Sequence, residues 1–117
     1  MRQMHLREIF SDARGKIESI HAGIPFREMN RFTSEKGVVR GGHYHKESTE
    51  LICILSGKVE IEIRDVKTGK TSRVILAKDD CLLIEPYEAH SARMLEDTVW
   101  INALTKEYDK SKPDIYN

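Results

Sequence analysis

The sequence predicts an all-β fold, on three observations. Apolar residues recur at every second position or in short unbroken runs, and Gly- and Asp-bearing turns interrupt the chain every few residues. No stretch of ten or more residues carries a helical period. With 117 residues the chain is long enough for one domain with its own core. The expected layout is N-terminal strands over 1–35, a central β core over 36–104 and a polar tail over 105–117.

Taken in order, His5 to Phe10 and Lys16 to Ile20 flank Ser11-Asp12-Ala13-Arg14-Gly15, a turn in which Gly15 is free to take positive φ. A hairpin is expected. After the break at Gly23-Ile24-Pro25, Phe26 to Thr33 reads as a further strand. Glu50 to Leu55 is apolar on both faces, with Ile52 and Ile54 on the side of Glu50. A strand of that kind is covered on both sides, its outer face by another sheet, the N-terminal strands or a second subunit. Lys58 to Arg64 alternates strictly, so Val59, Ile61 and Ile63 turn inward and Lys58, Glu60, Glu62 and Arg64 face water. Lys67-Thr68-Gly69-Lys70 closes a hairpin into Thr71 to Ala77. Cys81-Leu82-Leu83-Ile84 is a second run that is apolar on both faces. His90 to Leu95 and Thr98 to Leu104 are expected to pair around Glu96-Asp97, with Trp100 in the core. The tail from Tyr108 to Asn117 is polar and is expected to pack loosely.

Composition removes several function classes. Nineteen basic residues balance nineteen acidic ones, so no overall field attracts nucleic acid or an acidic membrane. No apolar segment approaches the roughly 20 residues of a membrane-spanning helix, and the N-terminus lacks the apolar core of a signal peptide. A cytoplasmic location is expected. Cys53 and Cys81 sit inside apolar runs and read as buried small hydrophobes in a reducing compartment. The two-faced strands leave outer apolar surface that favours a homodimer.

The chemistry concentrates in Gly41-Gly42-His43-Tyr44-His45-Lys46-Glu47-Ser48-Thr49-Glu50. Along a strand His43 and His45 share a face while Tyr44 takes the other, where it packs. Glu50 after a short turn and His90 after Glu85-Pro86 complete a candidate set of three imidazoles and one carboxylate. Such a set suits Zn²⁺, Fe²⁺, Mn²⁺, Ni²⁺ or Co²⁺ without choosing among them. Arg40 and Lys46 bracket the histidines and offer a fork and a point charge for phosphate or carboxylate, or serve as surface charge. Tyr87 and Glu88 are placed to line an entrance, and Asn102 to hydrogen-bond substrate.

His43-x-His45-x4-Glu50-x6-Gly57 resembles the first motif of the cupin superfamily. The resemblance implies a double-stranded β-helix, or jelly-roll, barrel with its site inside the barrel mouth. The second cupin motif departs from the pattern. Its leading Gly falls at Asp79, its Pro at Glu85 and its internal Gly at Tyr87, which leaves Pro86 and His90.

Narrower resemblances point to sugar enzymes. Asp12-x-Arg14-Gly15 with Gly37-Val38-Val39-Arg40-Gly41-x-His43 resembles the opening of nucleotide-sugar epimerases of the deoxyhexulose 3,5-epimerase type. That likeness implies His43 as catalytic base, although the family's tyrosine acid has no counterpart and Asn102 falls near its place. Arg40-Gly41-x-His43-x-His45-Lys46 also resembles the sugar 3,4-ketoisomerases. Trp100-x-Asn102 and Lys112-Pro113-Asp114-x-Tyr116 are similar to the end of the C-terminal cupin domain of bifunctional capsular-polysaccharide-synthesis reductases, which implies a metal-bearing domain that epimerises a nucleotide sugar.

The expectation is therefore a metal-binding epimerase or isomerase of a keto-sugar nucleotide. An iron-dependent oxygenase and a small-molecule-binding cupin without catalysis are the alternatives.

Overall fold

The computed structural model describes residues 1–117, and its regular elements are all strands. They are β1 (Arg2–Met4), β2 (Arg7–Asp12), β3 (Gly15–Ser19), β4 (Glu28–Ser34), β5 (Val39–His43) and β6 (Glu50–Ser56). The remainder are β7 (Lys58–Asp65), β8 (Thr71–Ala77), β9 (Cys81–Ile84), β10 (Glu88–Met94) and β11 (Thr98–Leu104). A five-stranded antiparallel sheet in the order β1-β9-β6-β11-β4 packs on a four-stranded one in the order β5-β10-β7-β8. The hairpin β2-β3 hydrogen-bonds to neither sheet. This is a jelly-roll barrel, the fold that the cupin-like motif implies.

The core is the seam between the sheets, and side-chain parity creates it. Ile52, Ile54, Leu82, Ile84 and Trp100 face Val59, Ile61, Ile63, Leu76 and Met94, all buried. Each fully buried Ile or Leu contributes about 1.5–3 kcal/mol. Trp100 stacks on Phe32 at 4.1 Å between ring centroids, and its Nε1–H donates to Ser34 Oγ at 3.2 Å.

Three expectations are corrected or refined. The strands at 88–94 and 98–104 do not pair with one another. β10 lies between β5 and β7, while β11 lies between β4 and β6 in the opposite sheet. Each still turns its apolar face to the common core, Ala92 and Met94 from one sheet and Trp100 from the other. The outer face of β6 and β9 is covered within the chain, where Met4, Ile20, Ile24 and Phe26 pack on Leu51, Cys81 and Leu83. Leu55 at its end stays exposed. The tail is docked rather than loose. Tyr44 and Tyr116 exchange backbone hydrogen bonds of 2.9 and 3.0 Å, and the Lys46 ammonium lies 4.1 Å from the Tyr116 ring centroid.

Two glycines allow close chain crossings. At Gly41, with φ of 91°, a Cβ would stand 2.6 Å from the His90 carbonyl oxygen. At Gly57, with φ of 95°, it would stand 2.7 Å from Thr98 Cα, where the chain passes from one sheet to the other. Neither place admits a side chain.

Candidate metal centre

β5 and β10 run antiparallel with His43 opposite His90, and the register then slips between His90 and Ser91. The slip is a bulge, and the paired glycines before His43 supply its backbone angles. His45 follows beyond the end of β5, and Glu50 opens β6 on the facing sheet. Sequence-distant side chains therefore meet across the barrel mouth. His43, His45, Glu50 and His90 each place one ligand atom within 4.8 Å of the others. The imidazole centroids are 4.9, 5.1 and 5.5 Å apart.

The second ring nitrogens explain how the imidazoles are aimed. His45 Nδ1 lies 2.7 Å from the Asp114 carbonyl oxygen and His90 Nδ1 lies 3.0 Å from that of Glu88. A carbonyl only accepts, so each Nδ1 carries the proton and each Nε2 is turned inward. Backbone carbonyls that hold the far nitrogen are the usual support of a metal-ligating histidine.

Glu50 is buried at 4 % exposure among these rings. Its Oε1 lies 3.1 Å from His45 Nε2 and 3.3 Å from His90 Nε2. Its Oε2 accepts from Asn102 Nδ2 at 3.1 Å. Burial pushes the carboxyl upward, but His45, His90 and Asn102 outweigh it and hold the group well below the ordinary carboxylate range. For His45, burial acts against protonation and is overcome by Glu50 and the Asp114 carbonyl, so its pKa is raised. His43 goes the other way. Burial, then the neighbouring His90 and His45, lower its pKa and keep it neutral.

The donor set fits a divalent transition ion. Three imidazole nitrogens and one anionic oxygen are borderline ligands. Two metal–ligand bonds in line span about 4.2 Å, so small side-chain rotations would bring all four atoms onto one ion.

The site forms the back of a cavity of about 550 Å³ between the sheets. Arg40 and Asn102 line it, with the Arg40 guanidinium carbon 5.6 Å from the Phe32 ring centroid. Lys46 and Tyr87, expected as substrate contacts, lie outside it. Lys46 is turned onto Tyr116 by the docked tail. Tyr87 stacks beneath Lys67, and its N–H donates to the His45 carbonyl at 2.7 Å, so it props the ligand loop instead.

Sequence reasoning missed Glu28, Asn30, Phe32, Tyr108 and Ile115, which also line the cavity. Glu28, Asn30 and Phe32 alternate along β4, so a period-two signal was present, but its inward sense depends on pairing with β11. Asp114 was missed as a support. Its carboxylate accepts the backbone N–H groups of Lys46, Glu47 and Ser48 at 2.9, 3.0 and 2.9 Å. Burial raises its pKa, those donors outweigh it, and the net shift is downward.

Comparison with known proteins agrees with this architecture. A curated relative, the UDP-2-acetamido-2,6-beta-L-arabino-hexul-4-ose reductase of Pseudomonas aeruginosa, is 26 % identical over 110 residues, covering 91 % of this chain and 30 % of the relative. The chain thus spans under a third of that protein's length. The capsular polysaccharide assembling protein CapF of Staphylococcus aureus superposes with a TM-score of 0.72 at 25 % identity, over 95 % of this chain and 32 % of that one. The 3,4-ketoisomerase QdtA of Thermoanaerobacterium thermosaccharolyticum was solved as a mutant with TDP-4-keto-6-deoxyglucose. It superposes at 0.78 with 20 % identity, over 97 % and 84 % of the two chains. The rmlC epimerase of Mycobacterium tuberculosis gives 0.77 at 19 %, over 94 % and 65 %. Residues 10–116 match the family model described as the polysaccharide biosynthesis C-terminal domain. The chain has a cupin-type fold, and it belongs to the polysaccharide biosynthesis C-terminal domain family.

Proposed function

We propose that the chain is an isomerase or epimerase of a keto-sugar nucleotide, with a divalent transition metal held by His43, His45, Glu50 and His90. The observation that carries this reading is the convergence of those side chains at the back of one cavity. Its volume of about 550 Å³ is within the range of small-molecule sites. The keto-sugar nucleotide bound by QdtA and the sugar-enzyme character of the other neighbours support the substrate class. The whole chain, 1–117, is read as one cupin domain.

When bound, the ion supplies Lewis acidity toward a carbonyl oxygen, which acidifies the adjacent C–H. The protein supplies the rest. Arg40 offers a bidentate fork to phosphate oxygens at the cavity wall. Phe32, half-buried at the cavity wall and backed by the buried Trp100, offers an apolar contact for the C–H face of a sugar ring. The hydrogen bonds to Asp114 and Glu88 hold the imidazoles of His45 and His90 with Nε2 inward.

A second version of the chemistry rests on His43 alone. Unlike His45 and His90, it forms no ion pair with Glu50, and burial together with its histidine neighbours lowers its pKa. A neutral imidazole beside the substrate is a competent general base. Acting alone, it would take the proton from one carbon and return it on the same face to the neighbouring carbon, which is an isomerisation; inversion at the first carbon would need a separate acid on the opposite face.

Incubation with a 4-keto-6-deoxy sugar nucleotide in D₂O tests both versions. Deuterium should enter the carbon beside the ketone, stop entering after chelation, and resume on adding one divalent ion. Exchange that survives chelation moves the chemistry to His43, and no exchange in the metal-loaded protein rejects the isomerase reading.

A homodimer belongs to the same proposal. It is supported by Ile9, Phe10 and Ile17, about half exposed on the β2-β3 hairpin. Sedimentation as a monomer at micromolar concentrations would remove it.

A further inference from the structure

Asn102 stands in the middle of a polar chain that begins at the cavity rim and ends on Glu50. β4 and β11 pair with Asn30 opposite Asn102, so Glu28, Asn30 and Asn102 all reach the cavity face of the sheet. Glu28 Oε1 accepts the backbone N–H of Tyr108 at 3.0 Å, and its Oε2 accepts from Asn30 Nδ2 at 2.8 Å. The same Asn30 Nδ2 donates to Asn102 Oδ1 at 3.1 Å, and Asn102 Nδ2 donates to Glu50 Oε2 at 3.1 Å.

The polarity of this chain has one solution. Ionised carboxylates accept only, and one stands at each end. Asn30 must therefore spend both N–H bonds, one toward Glu28 and one toward Asn102. Asn102, with its oxygen occupied by Asn30, must turn its own N–H group to Glu50. Asn102 is 7 % exposed and Glu50 is 4 % exposed, so neither has water as an easy substitute partner.

The consequence falls on the metal ligand. Glu50 has one oxygen toward His45 and His90 and the other tied back to Asn102. We propose that the Glu28–Asn30–Asn102 relay is a positioning device that commits Glu50 to offer a single oxygen, Oε1, to the ion. Without it the carboxylate is free to rotate and offer both oxygens, or to swing toward whichever donor is nearest. Asn102 is then a positioning residue, with its amide nitrogen engaged by the protein rather than by substrate. Because the relay starts on the Tyr108 amide, it also ties the first turn of the tail to the metal ligand.

This inference rests on the metal reading, and Co²⁺ serves as the probe because its visible spectrum reports the ligand arrangement. Co²⁺ affinity is measured by chelator competition for the wild-type chain, Asn102→Leu and Asn30→Ala. Asn102→Leu should bind about 10–100-fold more weakly with an altered visible spectrum. Asn30→Ala, which leaves Asn102 and Glu50 in place, should shift affinity in the same direction by less. It keeps the test decisive if Asn102→Leu does not fold. A wild-type chain that takes up no Co²⁺ removes both the metal reading and the relay. Wild-type binding with unchanged affinity and spectrum in the variants removes the relay and leaves the metal reading standing.

Discussion

The ring Nδ1 of His45 sits 2.7 Å from the backbone carbonyl oxygen of Asp114, 69 positions along the chain. A metal-ligand candidate is thus aimed by the C-terminal tail, and the Asp114 carboxylate fastens that tail to the N–H groups of Lys46, Glu47 and Ser48. Asp114→Ala should destabilise the chain by about 1–3 kcal/mol and speed hydrogen exchange at the amides of residues 46–48. The pH dependence has a definite sign. The Asp114 pKa is depressed on folding, so its contribution is present above the ordinary carboxylate range and is lost as pH falls through the folded value. Corrected for the intrinsic pH dependence of exchange, the protection of those amides in the wild-type chain should therefore fall more on acidification than that of amides elsewhere.

Gly41 permits the crossing that sets His43 against His90. A methyl group there would meet the His90 carbonyl oxygen at 2.6 Å, with the backbone at φ of 91°. Gly41→Ala should cost about 1–3 kcal/mol in strain alone and weaken metal binding, because the paired histidines must separate. Gly69→Ala is the comparison, since a Cβ there meets nothing within 4 Å although its φ of 77° carries similar strain. Calorimetry should show loss of stability in both, and chelator competition a loss of affinity in Gly41→Ala only.

Arg40 tests the substrate side independently of the ion. It lines the cavity but is not among the candidate ligands. Arg40→Ala should retain the wild-type metal content and raise KM for a sugar nucleotide by about tenfold or more, the scale of one lost charged hydrogen bond. Arg40→Lys should recover only part, because a point charge does not reproduce the fork. Steady-state kinetics beside elemental analysis separates the two effects.

The seam between the sheets predicts an asymmetry in stability. Ile61 is fully buried, whereas Leu55 at the end of β6 is 45 % exposed. Ile61→Ala should cost about 2–5 kcal/mol by chemical denaturation, and Leu55→Ala less than about 1 kcal/mol.

Much of this was legible in the residues because parity carries over directly from strand sequence to barrel. The alternation of Val59, Ile61 and Ile63 put them in the core, and the ligand spacing from His43 to Glu50 spans one tight turn. Pairing between distant strands was less legible. Nothing in Glu96-Asp97 distinguishes a hairpin turn from a crossing between sheets, so β10 and β11 were expected side by side. The tail is polar by composition, yet Asp114 orders it by collecting backbone donors that no local pattern announces.

The altered second motif is instructive. Asp79 and Tyr87, standing where the superfamily pattern has glycine, are the two non-glycine residues with positive φ, at 75° and 65°. The backbone takes the conformation that favours glycine without a glycine there. Hydrogen bonds from the Asp79 amide to Ile54 and from the Tyr87 amide to His45 hold it there.

The most direct test is the metal content of the purified protein, measured for the wild-type chain and for Glu50→Gln and His90→Ala after loading and desalting. The account predicts one divalent transition ion per chain in the wild type and loss of most of it in both variants. A wild-type chain that retains no ion, or variants that retain as much as the wild type, would contradict it.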